Sequence, residues 1–478
     1  MPAAQAHRYD EYSLVAKETI GAAEYRLYDA TWYRSPVPKE ALRELLRRRD
    51  WPAIRDTTIW FALIIGSGWL GYLGWQAGSW WAIVPFMIYG LLYASTSDSR
   101  WHESSHGTAF ATDWLNNALY EIASFMVLRE ATVWRWSHTR HHSDTLIVGR
   151  DPEIAVKRPP ALFRLILDNV FKVDVIAQYV THLLLHCTGR MADEERVFVP
   201  PSEFPKVFVR AWIYLLVYTG VFGLAIYQHS LLPLMYVGLP TLYGSWLMMV
   251  YSSTQHAGLA ENVLDHRLNS RTVYMNPINR FLYWNMNYHI EHHMFPLVPY
   301  HHLPKLHELV KADMPAPYPS LWNAWHEIVP AVLRQAKDPG YCVNRPLPAP
   351  TRGADTGTHA PIFTAKALSS NGWLEKCASD SLGPEDVIRV DHERRTYAIY
   401  RALEGRLYAT DGRCTHGGAH LADGRVKGNL IECYKHNGRF DITDGSAKRM
   451  PACVALKTHE VRELDGKILL RPASAIGR

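Results

Sequence analysis

Two long windows of this chain carry almost no charge. Residues 57–97 hold no Asp, Glu, Lys, Arg or His, and residues 211–260 hold no Asp, Glu, Lys or Arg. A bilayer core of about 30 Å takes about 20 helical residues, so each window has room for two crossings and a short turn. The pattern predicts a first pair of helices over residues 57–75 and 79–97, turning at 76–78, and a second pair over 211–227 and 231–253. Trp75, Trp80 and Trp81 crowd the first turn, where an interfacial aromatic belt belongs. Both windows are double length and rich in Trp and Tyr, which favours membrane helices over the core of a large soluble domain. Beyond residue 361 the period changes from helical to alternating. TYAIYRALEGRLYAT is a predicted hairpin turning at Glu404 and Gly405, and VRELDGKILLR another turning at Asp465 and Gly466. Between the two regimes, DPGYCVNRPLPAPTRGADTGTHAP is Pro- and Gly-rich and is predicted to be a linker.

These patterns divide the chain into an N-terminal segment (1–56), a membrane domain (57–335), a linker (336–361) and a small all-β domain (362–478). The predicted fold class is multi-domain: four transmembrane α-helices under a histidine-rich cap, plus the β domain. A length of 478 residues agrees with two or three domains.

Charge sets the expected orientation. Arg43, Arg47, Arg48 and Arg49 precede the first window, and Arg129, Arg135, Arg140, Arg150, Lys157 and Arg158 lie between the windows. The two short turns hold no Lys or Arg. By the positive-inside rule both termini and the long loops are cytoplasmic. The expected location is an integral protein of a bacterial inner membrane. MPAAQAHRYDEYSL has no apolar signal-peptide core, so the first membrane helix is expected to serve as the targeting signal. A net charge of +5 is accounted for by loops beside anionic lipid, and with no run of five basic residues a nucleic-acid partner is not expected. Cys187, Cys342, Cys377, Cys414, Cys433 and Cys453 form no paired framework, in keeping with a reducing compartment.

The candidate chemistry starts with histidine. His102 and His106 stand in HESSHG, His138, His141 and His142 in HTRHH, and His289, His292 and His293 in HIEHH. On a helix, positions i, i+3 and i+4 share a face, so each cluster is expected to aim its imidazoles at a common point. Neutral imidazole suits iron, copper, nickel and zinc. Eight imidazoles are too many for one ion and suit two. A surface role is a poor alternative, because adjacent protonated imidazoles repel. Asp98, Glu103, Asp144, Asp151 and Glu291 lie beside the clusters and are candidates to accept the other imidazole N–H.

The β domain carries a second ligand set. Cys414 and His416 stand in CTHGGAHLADG, and Cys433 and His436 in CYKHNGRFD. Each loop supplies one thiolate and one imidazole, the set of a Rieske [2Fe–2S] centre. A Cys2His2 zinc site uses the same residue types, but zinc fingers favour paired cysteines within one loop. Gly417, Gly418 and Gly438 are expected to let backbone N–H groups approach the sulfurs.

Residues 362–471 closely resemble Rieske-type ferredoxins of the kind that serve oxygenases. Tyr434 and Lys435 depart from the commoner Pro-containing loop. The order HxxxH, HxxHH, HxxHH among membrane helices, with NYHIEHHMFPLVPYHHLPKLH, resembles the integral-membrane fatty acid desaturase and hydroxylase family over about residues 55–310. That resemblance implies two non-haem irons held by cytoplasmic histidines, with O2 as co-substrate. The family often adds a lone histidine near the fourth helix, and His256 in STQHAG holds that place, with Gln255 beside it. HTRHHSDTLIVGRDPE, combined with a Rieske domain in one chain, resembles the oxygenase of rhizopine catabolism, associated with removing an O-methyl group from a small cyclitol.

The expectation is therefore an O2-dependent oxidoreductase that attacks an unactivated C–H bond. It would desaturate or hydroxylate a lipid-like substrate, or hydroxylate and so demethylate a small methyl ether. The Rieske domain is expected to swing on its linker and feed electrons one at a time. No G-x-G-x-x-G strand-to-helix unit is present, so an NAD(P)H-dependent flavin ferredoxin reductase is expected as a partner. The rival readings are a membrane iron-binding electron-transfer protein without substrate turnover and a zinc-dependent membrane hydrolase.

Overall fold

The computed structural model describes residues 10–15, 32–348, 362–364, 366–367, 373–393 and 395–473. Most of the opening stretch read for a signal core, and residues 349–361 of the predicted linker, lie outside the described residues. The chain folds as two compact units, the second built from the described parts of 31–47, 294–298 and 350–478.

The first unit is helical. Helix α1 (Asp50–Gln76) has 27 residues, about 40 Å of helix. It buries Trp60, Ile64, Ser67, Gly68 and Gly71 and leaves Ile65, Trp69 and Leu70 exposed. The stretch Pro201–Tyr227 is likewise 27 residues long, and these two helices are long and apolar enough to cross a membrane. The remaining halves of the two apolar windows differ from the expectation of plain helices. Helix α2 (Ile83–Gly90) continues through a π-helical segment, Leu91–Ser95, into α3 (Thr96–His106). The stretch after residue 231 is broken into Leu232–Tyr236, Pro240–Gly244 and a helix Trp246–His256. Two prolines and a positive φ of 102° at Gly238 interrupt it. Close backbone approach requires glycine there: a Cβ on Gly244 would lie 2.0 Å from the Gly90 carbonyl carbon. Ser95 Oγ ties the π-helical segment to the break, donating to Gly244 O at 2.6 Å.

Three further helices carry histidines of the site. Helix α4 (Ala131–Asp144) is capped by Glu130, which accepts from the Val133 N–H. Numbering onward, α5 is Val173–Cys187, α6 is Phe204–Tyr227, α7 is Trp246–His256 and α8 is His289–Met294. Trp101, Tyr120, Ala123, Val127 and Ala131 form a buried cluster beneath α3 and α4.

The second unit is all-β apart from short helical turns and the two-turn helix Lys39–Leu45. Its strands are β1 (Ile362–Thr364), β2 (Lys366–Ala367), β3 (Leu374–Ala378), β4 (Asp386–His392), β5 (Arg395–Arg401) and β6 (Leu407–Asp411), then β7 (Arg425–Lys427), β8 (Leu430–Glu432), β9 (Arg439–Asp441), β10 (Ala447–Arg449), β11 (Thr458–Leu464) and β12 (Lys467–Arg471). One sheet has the order β1-β4-β5-β6-β11-β12-β3-β2, and a smaller one β10-β9-β8-β7. Both predicted hairpins are present, with Arg401 opposite Leu407 and Leu464 opposite Lys467. Asp465 and Gly466 have φ of 50° and 70°, the left-handed pair that a two-residue hairpin turn needs. The small sheet packs Ile431 and Phe440 against Tyr400 and Leu421 and so anchors the loops that carry Cys414 and Cys433.

Candidate metal centres

In the first unit, four helices converge on nine imidazoles. His102 and His106 come from α3, His138, His141 and His142 from α4, His256 from the end of α7, and His289, His292 and His293 from α8. The ligand atoms form two groups, each with all members within 4.8 Å of one another: His102, His106, His138, His142 and His292, and His141, His256, His289 and His293. The second and third clusters do not aim at single points. Adjacent residues on a helix diverge by about 100°, so each HxxHH run splits. The i, i+4 pair of α4, His138 and His142, goes to the first group and its His141 to the second. The i, i+4 pair of α8, His289 and His293, goes to the second group and its His292 to the first.

Within each group, ring nitrogens face one another: His102 and His292 Nε2 at 2.8 Å and His106 and His138 at 3.1 Å in the first, His289 and His256 at 3.0 Å and His293 and His289 at 3.0 Å in the second. His142 is buried with neither nitrogen hydrogen-bonded among the described residues. Buried imidazoles that face each other without another acceptor are poor structural residues and good metal ligands, because a shared ion satisfies them all. Burial, with repulsion between neighbouring rings, holds His102, His138, His142, His289 and His293 well below the ordinary histidine value. It pushes His256 and His292 down to about 3. The neutral form so favoured is the ligating one. His141 differs: burial would lower it, but Asp151 outweighs that and raises it.

The distal nitrogens are held from outside. His141 Nδ1 lies 2.9 Å from Asp151, His138 Nδ1 3.1 Å from Glu153, His256 Nδ1 2.8 Å from Asn269 O, and His293 Nδ1 3.2 Å from Thr145 Oγ1. Of the five carboxylates singled out in the sequence, Asp151 alone takes this role. Asp98 pairs with Arg129, Asp144 with Arg140 and Arg150, and Glu103 accepts from Thr108 and the Tyr300 N–H. Glu291 accepts from Thr272 and pairs with His307. Gln255 donates to Tyr283. Sequence reading missed Glu153, Thr145 and Asn269. The Asp-x-Glu spacing with Asp151 was the available signal for Glu153; nothing local marks the other two.

In the second unit, the loop after β6 carries Cys414 and His416, and the loop after β8 carries Cys433 and His436. His416 and His436 Nδ1 lie 3.1 Å apart, and the two buried thiols contact each other. Sharing a hydrogen bond with Cys433 brings Cys414 down to about 7, while Cys433 is pushed up by the same contact and by burial. Backbone N–H groups of His416 and Gly417 donate to Cys414, and those of Lys435 and His436 to Cys433. A Cβ at Gly417 would lie 3.0 Å from His436 Cε1, so glycine there also leaves room for the imidazole. Two thiols, two facing nitrogens and amide donors on the sulfurs fit a [2Fe–2S] cluster.

Comparison with known proteins agrees with both centres. Residues 78–325, more than half of the chain, match the family described as Fatty acid desaturase. The chain belongs to the fatty acid desaturase family. Residues 372–460 of this desaturase-family protein match the Rieske [2Fe-2S] domain. That domain is similar to the ferredoxin component of the naphthalene 1,2-dioxygenase/salicylate 5-hydroxylase systems of a Ralstonia species, 35% identical over 21% of this chain and 97% of the relative. It is also similar to the naphthalene 1,2-dioxygenase ferredoxin component of Pseudomonas putida, 41% identical over 19% and 86%. A cholesterol 7-desaturase of Xenopus laevis is 30% identical over 31% of this chain and 35% of its own length. Among solved structures, the Sphingomonas yanoikuyae B1 ferredoxin is similar at 36% identity over 20% of this chain and 95% of that one, with a TM-score of 0.20. The desaturase-family protein is thus an O2-dependent oxidoreductase whose cofactors are a di-iron centre and a [2Fe–2S] cluster.

Proposed function

We propose that this protein is an integral-membrane oxygenase or desaturase that oxidises an unactivated C–H bond with electrons from its own Rieske domain. The observation that carries the reading is the partition of nine imidazoles, eight buried and His256 half-buried, into a group of five and a group of four, with α4 and α8 each contributing to both. The bound irons supply O2 activation and C–H cleavage. The chain's own part is to hold seven of the nine rings toward the neutral form by burial and to fix ring orientation through Asp151, Glu153, Asn269 and Thr145. On this reading His102, His106, His138, His141, His142, His256, His289, His292 and His293 ligate the two irons, and Cys414, His416, Cys433 and His436 the cluster.

Either outcome consumes O2, two electrons and two protons: hydroxylation releases one water, and desaturation two. A [2Fe–2S] centre carries one electron at a time, so two reductions are needed per turnover, and a flavin-dependent NAD(P)H ferredoxin reductase is the fitting donor. The substrate class is a lipid-like chain or sterol, or a small methyl ether whose hydroxylated methyl is lost as formaldehyde. The apolar outer faces of α1 and α6 support a membrane location, with four crossings and both centres cytoplasmic. The test is purification in detergent with iron analysis, followed by NADH-driven O2 uptake with a ferredoxin reductase. About four irons per chain, and uptake stimulated by a lipid, a sterol or a methyl cyclitol, are expected. Zinc in place of iron, or uptake unmoved by any substrate class, would overturn the reading.

A further inference from the structure

The second unit includes two pieces that are remote in sequence from its β domain, residues 31–47 and 294–298. The first is firmly attached. Lys39 Nζ pairs with Asp386 at 2.7 Å, Arg43 Nη2 donates to Pro384 O and Glu385 O, and Arg425 donates to Leu46 O at 2.7 Å. Its Ser35 Oγ reaches Met294 Sδ at 3.8 Å. Beside Ser35, Arg34 is 8% exposed, and its Nε and Nη1 have no hydrogen-bond partner among the described residues. Its guanidinium is placed between two rings, 4.2 Å from the centroid of Tyr434 and 4.7 Å from that of Phe295. A guanidinium is weakly hydrated and stacks on aromatic faces, which explains how it is buried here with no anion against it among the described residues.

Each ring stands beside one set of candidate ligands in the sequence. Tyr434 follows Cys433 directly in the cluster loop. Phe295 is joined to His293, the last imidazole of the di-iron site, through Met294 alone.

We infer that Tyr434, Arg34 and Phe295 form the electron exit of the Rieske unit, with Arg34 as the positioning residue that clamps the cluster loop onto the segment running on from α8. Each passage oxidises the reduced cluster by one electron and delivers that electron to the histidine-held irons, where O2 is the final acceptor. The inference rests on the proposed flow of electrons from cluster to di-iron site.

The test uses the full-length, iron-loaded protein with Arg34→Ala and with Phe295→Leu, which keeps an apolar side chain should the first variant fold poorly. Two readouts are needed. Hydrogen exchange, measured without turnover, should rise in residues 294–298 and 433–438. After anaerobic reduction and mixing with O2, the part of cluster reoxidation that depends on iron in the histidine site should slow about tenfold, the loss expected for one desolvated cation–π clamp. The reduced cluster's EPR signal and its reduction by dithionite should be unchanged. Unchanged exchange in 294–298 would show that the clamp is not there. Faster exchange with unchanged reoxidation would show a clamp that is not the exit, and either result overturns the inference. If wild-type reoxidation does not depend on iron at the histidines, the electron flow itself fails, which the exchange data alone would not show.

Discussion

At the residue scale, the site depends on side chains whose roles differ in how visible they are. Nine histidines were marked, eight by spacing, because i, i+4 pairs share a helix face, and His256 by family resemblance. Their supports were not, since a distal nitrogen can be held by any acceptor that a loop brings near. Glu153 and Asp151 are such supports: Glu153→Gln and Asp151→Asn are expected to weaken iron binding at the histidine site roughly tenfold to a hundredfold. Iron content after mild chelation would show it, with the [2Fe–2S] absorbance unchanged. His141→Ala is expected to abolish product formation while leaving that absorbance intact, because His141 and Cys414 serve separate centres; loss of the absorbance would contradict that division. A third prediction concerns histidines outside both centres. His182 and His186 on α5 both bond Glu195, at 3.0 and 2.8 Å. Burial alone would raise the Glu195 carboxyl, yet the two imidazoles bring it from 4.5 down to about 2. The bond to Glu195 in turn raises His182 above 6.5. A depressed carboxyl stabilises above its unfolded value and loses this as pH falls through the folded one. A raised histidine stabilises below its unfolded value and loses this as pH rises through the folded one. Both contributions are present between pH 4.5 and 6.5. Glu195→Gln should therefore lower the melting temperature most in that window and less in alkaline solution. A uniform loss at all pH values would refute the assignment.

At the element scale, legibility followed period and turn chemistry. The Asp465–Gly466 hairpin was readable because only a narrow set of residues tolerates positive φ at both turn positions. The β domain was readable because alternating strands flank two loops with fixed ligand spacing. The fragmentation after residue 231 was not, since an unbroken apolar run gives no sign of where backbones will touch. That contact is set by Gly90 and Gly244, whose missing Cβ atoms let Pro240–Gly244 meet the α2 terminus. Gly244→Ala places a methyl group against main-chain atoms that cannot rotate away. It is expected to cost about 2–3 kcal/mol, in the manner of an overpacked core. Because α7 follows that break and ends at His256, the variant should also lose iron from the histidine site more readily than wild type. A variant with wild-type melting and wild-type iron retention would show that the close approach is not needed.

At the scale of the whole molecule, the decisive question is which side of the membrane each part faces. The two short turns lack Lys and Arg, whereas the segments before the first apolar window and between the windows concentrate them. A folded β domain cannot cross a bilayer core, so electron delivery requires the Rieske domain and the histidines to share a side. Four crossings satisfy this, as would any even number that leaves α3, α4 and α8 on the side of the C-terminus. The described helices include two that are plainly long and apolar enough to cross. The two remaining apolar stretches, residues 79–97 and 231–253, must then supply one crossing each in spite of a π-helical segment in the first and two breaks in the second. Reporters decide this directly. One fused after Arg478, and one placed between Lys157 and Arg164, should be cytoplasmic; tags at Gly78 and at Ser230 should lie on the opposite face. A cytoplasmic signal at Gly78 would make the first window a re-entrant hairpin and leave the metal site where it was proposed. An external C-terminal reporter would do more damage, because it separates the electron donor from the irons, and the proposed chemistry would fail even with every ligand assigned correctly.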